Sequence, residues 1–412
     1  MKIISPYQFA YFRIIFGIYL TIHFAYLIPY GGELFSREGV LPDSTLNLTH
    51  QIFPNLLGHF DSPIFVTFFL GVLTILSLAF TLGFYRRWMA LFLWYGWACL
   101  FNRNNLISNP SLPYVGLLLI FMALIPEGEP FSLRRKPDKP WFFPVSIFWS
   151  AWFLLGIGYT FSGYTKLFSP SWVDGSAFYH LAMNPLARPG IFRDGLLLLP
   201  DIFVRIFTWS AIVAELLFLP MIFHRVTRLV AWVWLIAIHL GILAIVDFAD
   251  LTWGMLMIHF FVFDPDWFPA RKTRQGTILL LFDGVCGLCN KTVRFLSAED
   301  REDLVFFASL QGKASQSIKE RHANFPSELK TLVLVENWNQ NNETIHQKSE
   351  AVLKVLDDIG GMWRVASWLR IVPRKLRDRV YDWVAKNRYR WFGKSSEACE
   401  MPNPSLKTRL LD

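Results

Sequence analysis

Along the first 270 positions apolar residues run in long blocks with few charges between them. After about Phe268 the pattern changes to charged and apolar residues in close alternation. Blocks near 7–29, 62–84, 88–103, 111–126, 143–163, 203–222, 227–247 and 249–268 approach the length that a helix needs to cross a hydrocarbon core, and they predict eight membrane-spanning helices. Pro29, Pro63, Pro126, Pro144 and Pro220 flank them, as suits helix ends, where proline breaks no internal bond. In the second part, Thr277–Phe282, Leu304–Phe307 and Thr331–Val335 are apolar runs of strand length. Cys286–Leu296, 312–322, Ser349–Ile359 and Trp363–Arg390 have helical spacing. The expected architecture is a polytopic α-helical membrane domain over 1–270, a linker at 271–276 and a small α/β domain over 277–412.

Composition excludes an ordinary soluble protein: the 412 residues are 53% hydrophobic and 17% aromatic, with mean hydropathy +0.33. Charge sits unevenly. Residues 1–270 hold 16 Lys+Arg and 15 Asp+Glu, and residues 271–412 hold 24 and 17, so seven units of the net +8 lie on the second part. Arg86/Arg87, Arg134/Arg135/Lys136/Lys139, Arg225/Arg228 and Arg271/Lys272/Arg274 follow every second block, whereas the opposite connections carry Glu33, Glu38, Asp43, Asp174, Asp194, Asp247 and Asp250. The positive-inside bias then places both termini and the 277–412 domain in the cytoplasm, and the expected location is the inner membrane of a bacterium. No small-residue cleavage site follows the first block, which is therefore expected to stay as a helix.

The chemistry-bearing motif is Asp283-Gly-Val-Cys286-Gly-Leu-Cys289. Strand, tight turn and helix start are the setting of a redox dithiol. Three positions apart there, two sulfurs can close a small disulfide ring, and the first faces the unpaired N–H groups and positive dipole end that stabilise a thiolate. Cys286 is the expected nucleophile and Cys289 the resolving thiol. A lone Cys-x-x-Cys also reads as half a zinc site, but Cys399, His322 and His346 stand at no zinc-motif spacing, and no metal is expected. Asp283 reads either as a proton relay beside the dithiol or as a turn residue.

These residues resemble the signature of the DCC family of thiol-disulfide oxidoreductases, named for Asp-x-x-Cys-x-x-Cys. The similarity extends to Pro373, Arg377-Asp378, Val380-Tyr381 and Asn387-Arg388-Tyr389-Arg390-Trp391-Phe392-Gly393. It implies a thioredoxin-like fold over about 277–400 and disulfide exchange with a disulfide-bearing protein or a small-molecule thiol. The stretch 364–394 holds ten Lys+Arg against Asp378 and Asp382. On a domain tethered to a bilayer, such a stretch meets the anionic cytoplasmic leaflet before any nucleic acid.

In the first part the ionisable residues within or beside the apolar blocks are Arg13, His23, Lys166, Glu215, His239 and His259, and such residues are functional or bundle-facing. Gly163, Lys166-Leu167 and Trp172-x-x-Gly175, with Leu34-Phe35-Ser36-x-x-Gly39-Val40-Leu41-Pro42, resemble the HTTM (horizontally transferred transmembrane) domain family and the vitamin K-dependent γ-glutamyl carboxylases. The resemblance implies that Lys166 is a catalytic base working with a quinone or vitamin K-type hydroquinone. A snorkelling lysine at a helix end is the plainer reading. Glu215, His239 and His259 are the candidates for holding a cofactor. The leading expectation is a membrane thiol-disulfide oxidoreductase with a cytoplasmic dithiol, coupled to a quinone or other hydrophobic substrate in the bundle. The alternatives are a carboxylase- or epoxidase-like quinone enzyme with an accessory redox domain, and a transporter or scaffold with a redox sensor.

Overall fold

Each of the eight apolar blocks folds as helix. In the computed structural model these are α1 Pro6–Leu27, α2 Pro63–Thr81, α3 Arg86–Arg103, α4 Ser111–Leu124, α5 Val145–Lys166, α6 Asp201–Leu216, α7 Arg225–Ile245 and α8 Ala249–Phe261. Residues 4–411 are described except 48, 51, 134–140, 248, 272–277, 323–324, 327–330 and 395–407. The loop cations Arg134, Arg135, Lys136, Lys139, Lys272 and Arg274, most of the 271–276 linker, and Cys399 lie outside the described residues. The chain divides into two compact units, residues 8–263 and the residues from Asp264 onward joined by the N-terminal segment up to Tyr7.

Among the described residues, length and composition qualify four helices as candidate spans, Pro6–Phe35, α2, α5 and α7. A fifth is added if Ile191–Leu198 and α6, which meet at 110°, count as one. That is fewer than the eight expected. With 14 and 13 residues, α4 and α8 reach only about 20 Å against a hydrocarbon core of about 30 Å, and α3 carries Arg86, Arg87 and Arg103. Glycines bring some helices close: a Cβ on Gly163 of α5 would lie 2.8 Å from the Leu216 amide nitrogen of α6.

A buried ion cluster ties α1, α3 and the end of α4. Arg13 Nη1 and Arg86 Nε donate to the same Glu129 oxygen at 3.1 and 3.0 Å, and none of the three residues is more than 1% exposed. Arg86 also donates to the carbonyls of Met122, Ile125 (2.8 Å) and Pro126 (2.7 Å), which closes carbonyls that the end of α4 leaves open. Arg86, read from sequence as a loop cation, is therefore an internal strut. Removing Glu129 would strand two buried guanidinium groups, and Glu129→Ala is expected to cost about 3–5 kcal/mol. Thermal unfolding of the purified full chain measures this, and an unchanged melting temperature would contradict it.

The second unit alternates strand and helix: β1 Ile278–Phe282, α9 Gly287–Glu299, β2 Val305–Ser309, α10 Lys313–Arg321, β3 Val333–Glu336, β4 Thr344–Gln347, α11 Lys348–Ile359, α12 Arg374–Phe392 and β5 Leu410–Leu411. The sheet order is β4-β3-β1-β2-β5. β1 and β5 run parallel to β2, while β3 is antiparallel to β1 and β4. A parallel strand–helix–strand unit joined to an antiparallel hairpin is a thioredoxin-like arrangement. Every residue of β1 is buried: Ile278, Leu280 and Phe282 pack with Val293, Leu296 and Val355, and Leu279 and Leu281 with Ala308, Ile318 and Val333. Cover on both faces explains the unbroken apolar run.

The structure corrects one helix and adds two strands. Trp363–Arg390 is not one helix but a 3-10 stretch, Gly361–Ile371, followed by α12. Pro373 stands at the break, where its ring excludes a preceding α conformation. β4 and β5 lacked a sequence signal because β4 is polar, Thr-Ile-His-Gln, and β5 has two residues. The first linker residue and residues before it also belong here, since Arg271 N donates to Asp358 O (3.0 Å) and Gly361 N to Phe268 O (2.6 Å). At Gly360, φ is +72° and a Cβ would lie 2.5 Å from the Ala270 nitrogen, so glycine serves both the turn and the close approach.

Candidate functional site

β1 delivers the chain into the turn Asp283-Gly284-Val285, and Cys286 becomes the N-cap residue of α9. Cys286 N donates to Asp283 O (3.1 Å), and Asn290 N to Cys286 O (3.0 Å), which starts the helix. Val285 N donates to Asp283 Oδ1 (3.3 Å), so Asp283 forms an Asx turn that aims the dithiol. The end of α12 lies on this turn. Gly287 N donates to Gly393 O (3.2 Å), and Cys286 pairs with Lys394 in an antiparallel bridge. A Cβ on Gly287 would lie 2.2 Å from Phe392 O, which is why this position inside the motif is glycine.

Both cysteines are free thiols, Cys286 wholly buried and Cys289 partly exposed. Burial first, then the charge and hydrogen bond of Cys286, push the Cys289 thiol up to about 12, against a downward pull from Arg388. At neutral pH Cys289 therefore keeps its proton. Burial acts to lower the Arg388 pKa, but the Tyr389 hydroxyl and then the two sulfurs outweigh it and hold it above its usual value. A cation beside the sulfurs favours the thiolate form of the pair.

Arg388 is fixed in turn. It is 3% exposed, and its Nη2 donates to Asp283 Oδ2 at 2.6 Å and to the Tyr389 hydroxyl at 3.0 Å. Tyr389 donates to the same Asp283 oxygen, and Gln311 Nε2 reaches Asp283 Oδ1 at 3.5 Å. Asp283, read from sequence as relay or turn residue, thus has both oxygens engaged, one on the turn and one on the arginine. Its contacts are those of a positioning residue. Tyr381 completes the surroundings: its hydroxyl accepts from Leu332 N (2.9 Å), and burial, with the charge of Cys289 contributing, raises its pKa.

Sequence reasoning placed Cys286, Cys289 and Asp283 together, and the structure does the same. It missed the roles of Arg388, Tyr389, Tyr381 and Gln311. Arg388 lay in view within a run of cations, but its neighbours made it read as one more charge meeting the anionic leaflet. Among the described residues no group of three or more His, Cys, Asp or Glu could hold a metal ion. His322 pairs with Glu343 and His346 with Glu336 instead.

The unit of residues 8–263 brings its own predicted residues into two sets. Lys166 Nζ lies 2.5 Å from Glu215 Oε2 and 2.8 Å from Ser162 Oγ, and 4.8 Å above the Trp172 ring. Lys166 is thus held in an ion pair with Glu215. His239 and His259 meet through a residue the sequence did not single out. The Tyr159 hydroxyl lies 2.7 Å from Nε2 of each, all three buried.

A thioredoxin-like sheet with a Cys-x-x-Cys at the start of the helix after its first strand defines the class of dithiol redox domains. The model of the DCC1-like thiol-disulfide oxidoreductase family matches residues 280–394. Over 133 residues, 32% of this chain and 93% of the relative, the sequence is 40% identical to the uncharacterized protein YuxK of Bacillus subtilis (strain 168). Over 124 residues, 30% of this chain and 69% of the relative, it is 39% identical to the DCC family protein At1g52590, chloroplastic, of Arabidopsis thaliana. Through this domain the chain belongs to the DCC1-like thiol-disulfide oxidoreductase family. No solved structure matches it.

Two outcomes test the site. In Cys286→Ala the charge and hydrogen bond that raise Cys289 disappear, so the remaining thiol should ionise at lower pH than about 12, as followed by ultraviolet thiolate absorbance. An unmoved titration would show that burial alone sets it. Arg388→Gln removes the cation, and thiol alkylation at neutral pH should slow roughly tenfold with its pH profile displaced to higher pH by about one unit. An unchanged profile would remove Arg388 from the chemistry.

Proposed function

We propose that the chain is an integral membrane thiol-disulfide oxidoreductase whose Cys286–Cys289 pair, in a cytoplasmic domain, exchanges electrons with a disulfide-bearing protein or a small-molecule thiol. The observation that carries this reading is the dithiol at a helix start with a buried arginine held beside it by Asp283. In the reductive direction the Cys286 thiolate attacks a substrate disulfide. One S–S bond breaks as a mixed disulfide forms, and the first substrate thiolate leaves and takes a proton. Cys289 then gives up its proton, attacks the Cys286 sulfur and releases the second substrate thiol, so that two electrons pass from the dithiol to the substrate. Cys286 is covered by Phe392–Lys394, and its attack requires that cover to move aside.

A cytoplasmic domain would meet the anionic leaflet. Exposed Trp368, Leu369, Ile371, Leu376, Val380 and Trp383 alternate with Lys375, Arg379 and Lys386, a mix suited to the interface, where each cation contributes about 1 kcal/mol. For the helical part, the run from Gly163 to Gly175 supports an HTTM-like domain, and the Lys166–Glu215 pair beside Tyr159, His239 and His259 supports a second reading. In that reading the buried polar groups handle a proton on a quinone-type substrate, and the redox domain is accessory.

Trapping decides the first reading. Full-length Cys289→Ser should retain a substrate as a mixed disulfide on Cys286, and Cys286→Ser should retain none. An adduct found only on Cys289 would assign the attack to the other sulfur, and the absence of any adduct would contradict disulfide exchange.

A further inference from the structure

The helical unit contains a cavity of about 610 Å³ that the dithiol chemistry does not use, with Tyr19, His23, Trp97, Asn109, Asp250 and Trp253 in its lining. Its size falls in the range of small-molecule sites, which are mostly apolar with a few convergent polar groups. Here those groups form one ordered set. Asp250 Oδ1 accepts from the Tyr19 hydroxyl at 3.1 Å and lies 2.8 Å from His23 Nδ1, and Asp250 Oδ2 lies 3.4 Å from Asn109 Nδ2. Asp250 stands in the first turn of α8, where the helix dipole favours a carboxylate. An ionised carboxylate only accepts, so Nδ1 of His23 carries the hydrogen, and Nε2 is left as the ring's second hydrogen-bonding atom. The ring itself lies 4.8 Å from the Trp97 ring at a tilt of 40° and is only 13% exposed, so its orientation is set by the carboxylate and by contact with the indole.

We infer that this cavity binds an aromatic alcohol, a flat apolar molecule whose phenol-type hydroxyl donates to Nε2 of His23. The aromatic lining suits the ring. An oriented imidazole with a free acceptor selects for O–H over an ether or a bare hydrocarbon. The site is separate from Lys166 and Glu215, neither of which lines the cavity, and it stands whether or not the dithiol domain exchanges disulfides.

The test uses the detergent-purified full chain with β-naphthol and its methyl ether, which share a ring and differ in the donor. Naphthol fluorescence, corrected for empty micelles, gives the affinities. The wild-type chain should bind β-naphthol saturably and about tenfold tighter than the ether, the usual weight of one well-placed hydrogen bond. In His23→Phe that preference should vanish while the dithiol keeps its reactivity, and in Leu100→Trp, which narrows the cavity from another residue of its lining, both ligands should bind more weakly. Equal binding of the two ligands by the wild-type chain overturns the inference even if neither variant folds, and so does a preference that survives in His23→Phe.

Discussion

Taking a guanidinium out of water costs several kcal/mol unless its hydrogen bonds are replaced. For Arg388, beside the dithiol, that cost is offset at the Asp283 carboxylate, which receives both Arg388 and Tyr389. The same carboxylate holds the Val285 amide, so the turn that presents the cysteines and the cation that acts on them share one anchor. Much of the local structure follows from this. α12 must end beside the dithiol for Arg388 to reach Asp283, and that ending lays Phe392–Lys394 against Gly287, where no side chain fits.

The helical unit uses the same principle twice more. Glu129 gathers Arg13 and Arg86, and Asp250 gathers His23, Tyr19 and Asn109. In each case one carboxylate satisfies donors from separate segments of the chain, which fixes their mutual placement more firmly than apolar contact alone. The two clusters differ in their surroundings. Glu129 is buried with both of its arginines, whereas Asp250 and His23 border a cavity.

Local signals were legible in the sequence. β1, α9, the dithiol and the eight helical blocks could be read because each rests on periodicity or on one short motif. What depended on distant residues was not legible. Arg388 lies 105 positions from Asp283, and a basic helix gives no sign of which cation turns inward. Tyr159 joins two histidines from α7 and α8, although the histidines were read only as separate candidates for holding a cofactor and Tyr159 was not singled out. Pro373 did mark a helix break, but the run of cations on both sides of it suggested continuity. β4 and β5 are held by pairing with neighbours rather than by their own composition.

The central claim, that Cys286 and Cys289 work as one two-electron couple, is tested most directly by weighing them. The full chain is equilibrated with oxidised glutathione and digested with trypsin, and the peptide holding both cysteines is measured by mass spectrometry. The account predicts a loss of two hydrogens that dithiothreitol reverses. Two separately glutathionylated cysteines, or two that stay reduced under an excess of oxidant, would contradict it.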